Sequence, residues 1–440
     1  MKLLKRFLCL SFLCLLSPTG WGASVVLVAS PFPKELLTAY KRAFDEQSPD
    51  YRVEFVNFPG ANIISFLRDR APGSRPDVFW ASSPDAFSAL RRSDLLLPLK
   101  NAGNPDIPRT VGKITINDPK GFYFGQALAG YGIMWNRRYL DARKIRPPQT
   151  WRDLGEPEYA GHIIMSSPSR SSTTHLIVES ILQGTGWNEG WALILKIAGN
   201  CATITERTFD VPNSITRGRF GLGPVVDFLA LSGKYSGFPV DFVYAWPSVV
   251  TPASIGLING ARNPDGGRAF IEFTLSEAGQ RLLLQPEVSR LPVLPSLYET
   301  GYRPDDFPTL IDITHSHLPT YAPDISESRY QLVGAIFDQL VTFRHRKLAS
   351  ISRAIQSAEN KLRKQPDAEA ARMIKEAQAL VYRAPIDADD ALLSALPRNP
   401  ADRVSVIAAH EVEWARQRDK DLAQATKRIK EAESLLNRKP

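Results

Sequence analysis

Cysteine is nearly absent from this 440-residue chain. There are three, and Cys9 and Cys14 lie in an N-terminal apolar run, which leaves Cys201 alone in the remainder. Zinc ribbons, iron–sulfur clusters and disulfide frameworks each need several cysteines at set spacings and are excluded. Beyond residue 22 no apolar run approaches the roughly 20 residues that cross a bilayer. The six histidines are scattered, with no pair at ligand spacing. There is no G-x-S-x-G elbow, no Walker A loop and no H-E-x-x-H, since His410-Glu411 lacks the second histidine. Gly218, Gly221 and Gly223 lie close together but make no dinucleotide fingerprint and read as a turn. No motif calls for a catalyst, a cofactor or a metal. What is present is globular: 43% hydrophobic and 23% charged, with 34 prolines against 28 glycines, hence many turns and no linker character.

Residues 1–22 read as a secretory signal. Lys2, Lys5 and Arg6 form a basic start, Phe7 to Leu16 a short apolar stretch, and Gly20-Trp21-Gly22 places small residues at −3 and −1. Cleavage after Gly22 and a periplasmic location are expected, without membrane insertion of the mature chain. Leu13 before Cys14 does not suit lipid attachment.

The formal charge of +8 is unevenly placed. Residues 341–440 hold 20 basic and 14 acidic side chains, while residues 23–340 hold 31 and 32. The excess is confined to one tail, which argues against nucleic-acid binding. The tail's surplus is either a solvated helix surface or a docking face for an acidic partner or lipid headgroups.

Ser24 to Ala29 is a continuous apolar run suited to a buried strand, and Lys34 to Gln47 follows with apolar residues at helical spacing. Tyr51 to Phe55 alternates as a strand, Ile63 to Arg70 reads as a helix, and Asp77 to Ala81 as another buried strand before a helix through Leu90. This β-α-β-α-β order predicts an α/β fold with an open parallel sheet. A second sheet is expected from Gly132–Trp135 and Gly161–Ser166, with helices over Thr173–Leu182 and Asn188–Ala198; Leu222–Ala230 and Phe242–Trp246 follow, and the chain returns through Ser254–Leu257. Crossings near Gly130-Tyr131 and Tyr244-Ala245 then make two lobes: residues 23–130 with 246–325, and residues 131–245. Residues 326–440 form a helical extension, with heptad stripes at Leu348, Ile351, Ile355, Ala358, Leu362 and at Leu422, Ala425, Ile429, Ala432, Leu436. Breaks at Gln365-Pro366 and Leu396-Pro397 suggest an antiparallel hairpin, either a stabilising cap or a partner-docking element.

The chemistry-bearing segment is Ser166 to His175. It joins a strand to a helix, whose N-terminus offers unpaired N–H groups and the positive end of the helix dipole. Ser167, Ser171, Ser172 and Thr173 add hydroxyls and Arg170 a charged fork, so the loop could cradle a phosphate, sulfate or carboxylate. Ordinary N-capping would need one such hydroxyl. Ser30 and Phe32 end the first strand and Ser82 and Ser83 the third, at the strand ends where open α/β sheets bind ligands. Arg207 could supply a second cationic arm or make a surface ion pair. Trp246, at the second crossing, is a cleft candidate, whereas His175, Trp187 and Trp191 read as packing residues.

The segments Pro76–Ser82, Tyr131–Asn136, Thr150–Leu154 with Tyr159–Ile163, Ser167–Thr174, and Asn263-Pro264 with Phe270–Ser276 resemble, in that order, the extracellular solute-binding proteins of ABC-type uptake systems, in the class that includes ferric-ion binders. The likeness covers about residues 24–300. It implies a two-lobed periplasmic-binding-protein fold of type II, with hinge and central cleft, plus the C-terminal α-helical extension, and function by lobe closure rather than catalysis. Within the class the chain is most similar to members that regulate phosphoglycerate uptake with a membrane sensor kinase. Ser30, Ser82, Ser83, Ser167, Arg170, Ser171, Ser172 and Thr173 carry over as site positions. Ser171-Ser172 stands where many relatives have Ser-Gly, which changes how closely backbone can approach a ligand. No Tyr-Tyr pair is present for iron.

The leading reading is a periplasmic receptor for a small anionic, phosphoglycerate-like metabolite, read by an ABC permease or a membrane sensor histidine kinase. Two others stand beside it: a secreted phosphoester hydrolase pairing a cleft serine with His175, and an adaptor whose helical tail acts while the lobes are a vestigial scaffold.

Overall fold

The computed structural model describes residues 23–58, 63–100, 103–299, 301–316, 320–397 and 399–437. The expected leader, residues 1–22, lies outside them. No described helix is long and apolar enough to cross a membrane.

One strand organises the molecule. Phe124–Asn136 runs for 13 residues, all buried, and changes partners half-way. Its first half pairs antiparallel with Val250–Ile258, from Ile255 opposite Phe124 to Val250 opposite Gly130. Its second half pairs with Leu222–Val226, where Val226 lies opposite Tyr131, and with Val240–Tyr244, where Tyr244 lies opposite Gly132. The switch falls at Gly130-Tyr131, where the sequence places the first crossing. Gly132 is required by the close approach there, since a Cβ would lie 1.9 Å from the carbonyl oxygen of Val243.

Outward from this strand the first half of the sheet continues through Val250–Ile258, Val78–Ala81, Ser24–Ser30 and Tyr51–Asn57. Ser24–Ser30 is parallel to both Tyr51–Asn57 and Val78–Ala81, as the β-α-β-α-β pattern requires. The second half continues through Leu222–Val226, Ile163–Ser166 and Cys201–Thr205, mutually parallel. The expected Leu222–Ala230 segment is a strand only to Val226, and the helix Asp227–Tyr235 takes over.

From Pro323 to Leu436 the described residues form helices and short connections. Both heptad stripes are real: Leu348, Ile355 and Ala358, like Leu422, Ala425 and Ala432, are buried. The extension is not a two-helix hairpin, however. His345–Lys364 and Pro400–Leu436 enclose a further helix, Ala368–Val381. Asp367 caps that helix by accepting from the Ala370 N–H at 2.9 Å, just after the break expected at Pro366. Arg418 locks the bundle, donating to the carbonyls of Leu340 and Val381 at 3.3 and 2.7 Å.

The extension shares one apolar core with the second half of the sheet, in which Leu348 and Ile355 join Ile194 and Leu195 of the helix Trp187–Asn200. Gln356 donates to Asn200 at 2.7 Å, and the Trp187 indole to the Ile386 carbonyl at 2.9 Å. A buried Leu or Ile contributes about 1.5–3 kcal/mol. The bundle is therefore integral to that half rather than a detachable tail.

Candidate ligand-binding cleft

The first-half candidates sit at one edge because their strands are parallel. Ser30 is fully buried, and its hydroxyl accepts from the Phe32 N–H at 3.2 Å. Phe32 packs edge-on against Trp80 at 5.1 Å. The Ser82 hydroxyl is buried with no partner among the described residues. Ser83 holds the N-cap position of the helix Pro84–Arg92 without using its side chain as a cap.

In the second half the serine-rich loop and the Arg207 segment come together. The Ser167 N–H donates to the Thr205 carbonyl at 3.0 Å, and the Thr208 hydroxyl to Ser171 Oγ at 2.9 Å. Ser171 is the N-cap of the helix Ser172–Thr185 and accepts from the Thr174 N–H at 3.2 Å. Its oxygen also accepts from the Thr174 hydroxyl at 3.1 Å, so capping and loop closure occupy it. Ser167 is occupied too, donating to Asp338 of the extension at 2.8 Å. The outward groups are Arg170, Ser172 and Arg207, all exposed, with Thr173 half-buried. Neither arginine forms an ion pair among the described residues.

The two crossings are tied together. Asp227 is fully buried and accepts from the Gly130 N–H at 2.8 Å and the Tyr244 hydroxyl at 3.0 Å. Burial pushes its carboxyl up to about 7, against the pull of its hydrogen bonds and of Arg290. Ser248 donates to the Tyr131 carbonyl at 3.0 Å. Trp246, 55% exposed, projects from this second crossing.

A cleft of about 380 Å³ lies between the halves. Pro33 and Arg290 line it from one side, and Phe209, Asn213, Arg217 and Phe228 from the other. None of the residues singled out in the sequence lines it, although Pro33 follows Phe32 and Phe209 lies two positions after Arg207. Arg290 is the residue sequence reasoning missed. Its signal was there: a lone charge in the otherwise uncharged stretch Val288–Tyr298.

The packing readings hold. Trp187 and Trp191 are core. His175 is fully buried, hydrogen-bonded through Nε2 to Ser326 at 3.0 Å and 4.0 Å from the Tyr330 ring. Ser326 is buried as well, so this Ser–His pair is closed to substrate.

Residues 74–302 match the family described as bacterial extracellular solute-binding protein. The chain is also 34% identical over 322 residues, 73% of its length and 76% of the relative's, to the phosphoglycerate transport regulatory protein PgtC of Salmonella typhimurium. The chain belongs to the bacterial extracellular solute-binding proteins. Another relative, an uncharacterized protein of Haemophilus influenzae, is 23% identical over 55% of this chain and 70% of its own.

Solved structures of other binding proteins share the architecture. The periplasmic binding protein AfuA of Actinobacillus pleuropneumoniae, with fructose-6-phosphate bound, superposes with a TM-score of 0.61 at 16% identity, over 72% of this chain and 99% of its own. Iron-bound HitA of Pseudomonas aeruginosa gives 0.57 at 14%, over 71% and 98%. The fold is thus the two-lobed type II form of this family, carrying a C-terminal helical extension. Family and fold are those of solute binders.

Proposed function

We propose that the protein is a periplasmic receptor that captures a small phosphorylated acid, phosphoglycerate-like, between its lobes. Residues 23–130 with 246–325 form one lobe, residues 131–245 the other, and residues 326–440 the extension. The hinge is the pair of crossings joined through Asp227. The observation that carries the ligand class is the loop pair around Ser171 and Thr208. It sets exposed Arg170 and Arg207 beside the N-terminus of the helix Ser172–Thr185, where backbone N–H groups and helix dipole favour an anion. The regulatory protein of similar sequence, whose name specifies phosphoglycerate transport, supports the same class.

On closure, Ser172, Thr173, Arg170 and Arg207, which stand outside the cleft lining as described, reach the phosphoryl group from the second lobe, and Ser30, Ser82 and Ser83 close on it from the first, with Phe32 and Trp246 as apolar walls. Ser167 and Ser171 shape the loop rather than donate to ligand. Closure follows only if the ligand binds the closed form better than the open one. A membrane partner, permease or sensor kinase, reads the closed form. Titration calorimetry with 3-phosphoglycerate tests this: Arg170→Ala and Arg207→Ala should each weaken binding at least tenfold, about 1.4 kcal/mol. Unchanged affinity in both would remove this loop from the site.

A further inference from the structure

Arg290 presents an unusual state. Its side chain is 1% exposed, and both terminal nitrogens, Nη1 and Nη2, are buried without a hydrogen-bond partner among the described residues. The guanidinium is held between two rings, 4.1 Å from the centre of Phe32 and 3.5 Å from that of Phe228. Phe32 belongs to one half of the sheet and Phe228 to the other. Burial draws the guanidinium down to about 9, opposed by Asp227, Tyr40 and Tyr131. Asp227 attracts it through space but makes no hydrogen bond or ion pair with it among the described residues; its oxygens accept from Gly130, Phe228 and Tyr244.

A guanidinium has five donors and no acceptor, and a buried charge without a partner is costly. Protein interiors keep such a group where something else completes it. Arg290 lines the inter-lobe cleft, and the planar edge bearing Nη1 and Nη2 matches two oxygens of one anionic group. Both nitrogens are covered in this arrangement, so an anion reaches that edge when the halves carrying Phe32 and Phe228 move apart. The acidic lining residues Glu35 and Glu287 are exposed, at the rim.

We infer that Arg290 is a ligand-binding residue, donating to a two-oxygen anionic group, a carboxylate or a phosphoryl edge, at the inner wall of the cleft between Phe32 and Phe228. With the reading above, on which the substrate class rests, this gives the ligand two anionic ends: one at the Arg170–Thr173 loop and one at Arg290.

The test uses the full protein, Arg290→Met, which preserves bulk and packing, and Arg290→Lys, which preserves charge but not the forked donors. The probes are 3-phosphoglycerate, glycerol 3-phosphate, glycerate, malonate and sulfate, followed by calorimetry and thermal melting. Both variants should lose at least tenfold in affinity for 3-phosphoglycerate. The Arg290→Met variant without ligand should melt at or above the wild-type temperature, since it removes an unpaired buried charge. If Arg290→Met leaves glycerol 3-phosphate binding unchanged, the carboxylate sits on Arg290; if it weakens that too, the phosphoryl end does. Undiminished 3-phosphoglycerate affinity in both variants, or a ligand-free Arg290→Met that melts well below wild type, would overturn the inference. A wild type that binds malonate or sulfate through Arg290 but no phosphorylated acid would keep Arg290 as the anchor and discard the phosphoglycerate reading. A wild type indifferent to every probe would discard both.

Discussion

The Ser167 hydroxyl donates to the Asp338 carboxylate across 2.8 Å, joining the serine-rich loop to the helix Tyr330–Leu340 of the extension. The contact is close: a Cβ on Gly334 would stand 3.2 Å from Ser169. Asp338 also accepts from the Thr342 hydroxyl at 2.6 Å. The extension therefore sets the shape of the loop proposed to hold the ligand.

Asp338→Ala removes an acceptor shared by the Ser167 and Thr342 hydroxyls; Ser167 can turn to Ser169 Oγ at 2.8 Å, so the loss should be about 1 kcal/mol. Asp338→Asn keeps an acceptor and should lose less. Urea unfolding of the two variants checks the order; equal losses would show that the contact contributes through packing alone.

Glu179 and Arg329 form a buried bidentate pair at 2.7 and 2.8 Å between the helix Ser172–Thr185 and the start of the extension. The Glu179 side chain is fully buried. Arg329→Met takes the guanidinium from that carboxylate and leaves it the Gln183 amide donor at 3.1 Å, which should cost about 3 kcal/mol, whereas adding Glu179→Met should restore much of the loss. A double variant no more stable than Arg329→Met would contradict this account of the pair.

Burial holds the His175 imidazole down at about 4, opposed by Glu179 and reinforced by Arg329. An unfolded histidine titrates near 6.5, so between about 6.5 and 4 the unfolded chain binds the extra proton. This contribution to stability is complete above 6.5 and is lost as pH falls towards 4. His175→Gln should flatten the fall in denaturation midpoint over that window relative to wild type. Parallel slopes would mean that His175 is not the group responsible.

Removal of residues 341–440 would strip Leu348, Ile351 and Ile355 from a core shared with the second half of the sheet. The truncated chain should lose cooperative unfolding as well as ligand binding, which circular dichroism would report. A truncated protein that still melted in one sharp transition would show that the extension is dispensable to the fold.

Much of the architecture was legible. The run Ser24–Ala29 and the alternation after it fix the first parallel strands, and the heptad stripes mark the buried faces of the bundle. The start of the long strand was not, because Gly125, Ala127, Ala129 and Gly130 lack the branched or aromatic character of strands. Its burial comes from distant partners: Gln126 donates to Tyr40 at 2.6 Å and accepts on its carbonyl from Gln280 at 2.7 Å. The site was half legible for a similar reason. A strand-to-helix loop rich in Ser, Thr and Arg is a local pattern, but the occupation of Ser167 by Asp338 spans 171 positions. Arg290 acquires its place only when Phe32 and Phe228 meet around it.

The most direct test of the central claim is a thermal-shift panel on protein stripped of bound ligand by unfolding and refolding. It would hold 3-phosphoglycerate, phosphoenolpyruvate, sugar phosphates, inorganic phosphate, dicarboxylates, polyamines and ferric citrate. At a hundredfold excess over its dissociation constant, a ligand adds about 2.7 kcal/mol to stability. The account predicts a clear rise in midpoint confined to phosphorylated acids. A response to iron or polyamines alone, or to nothing in the panel, would contradict it.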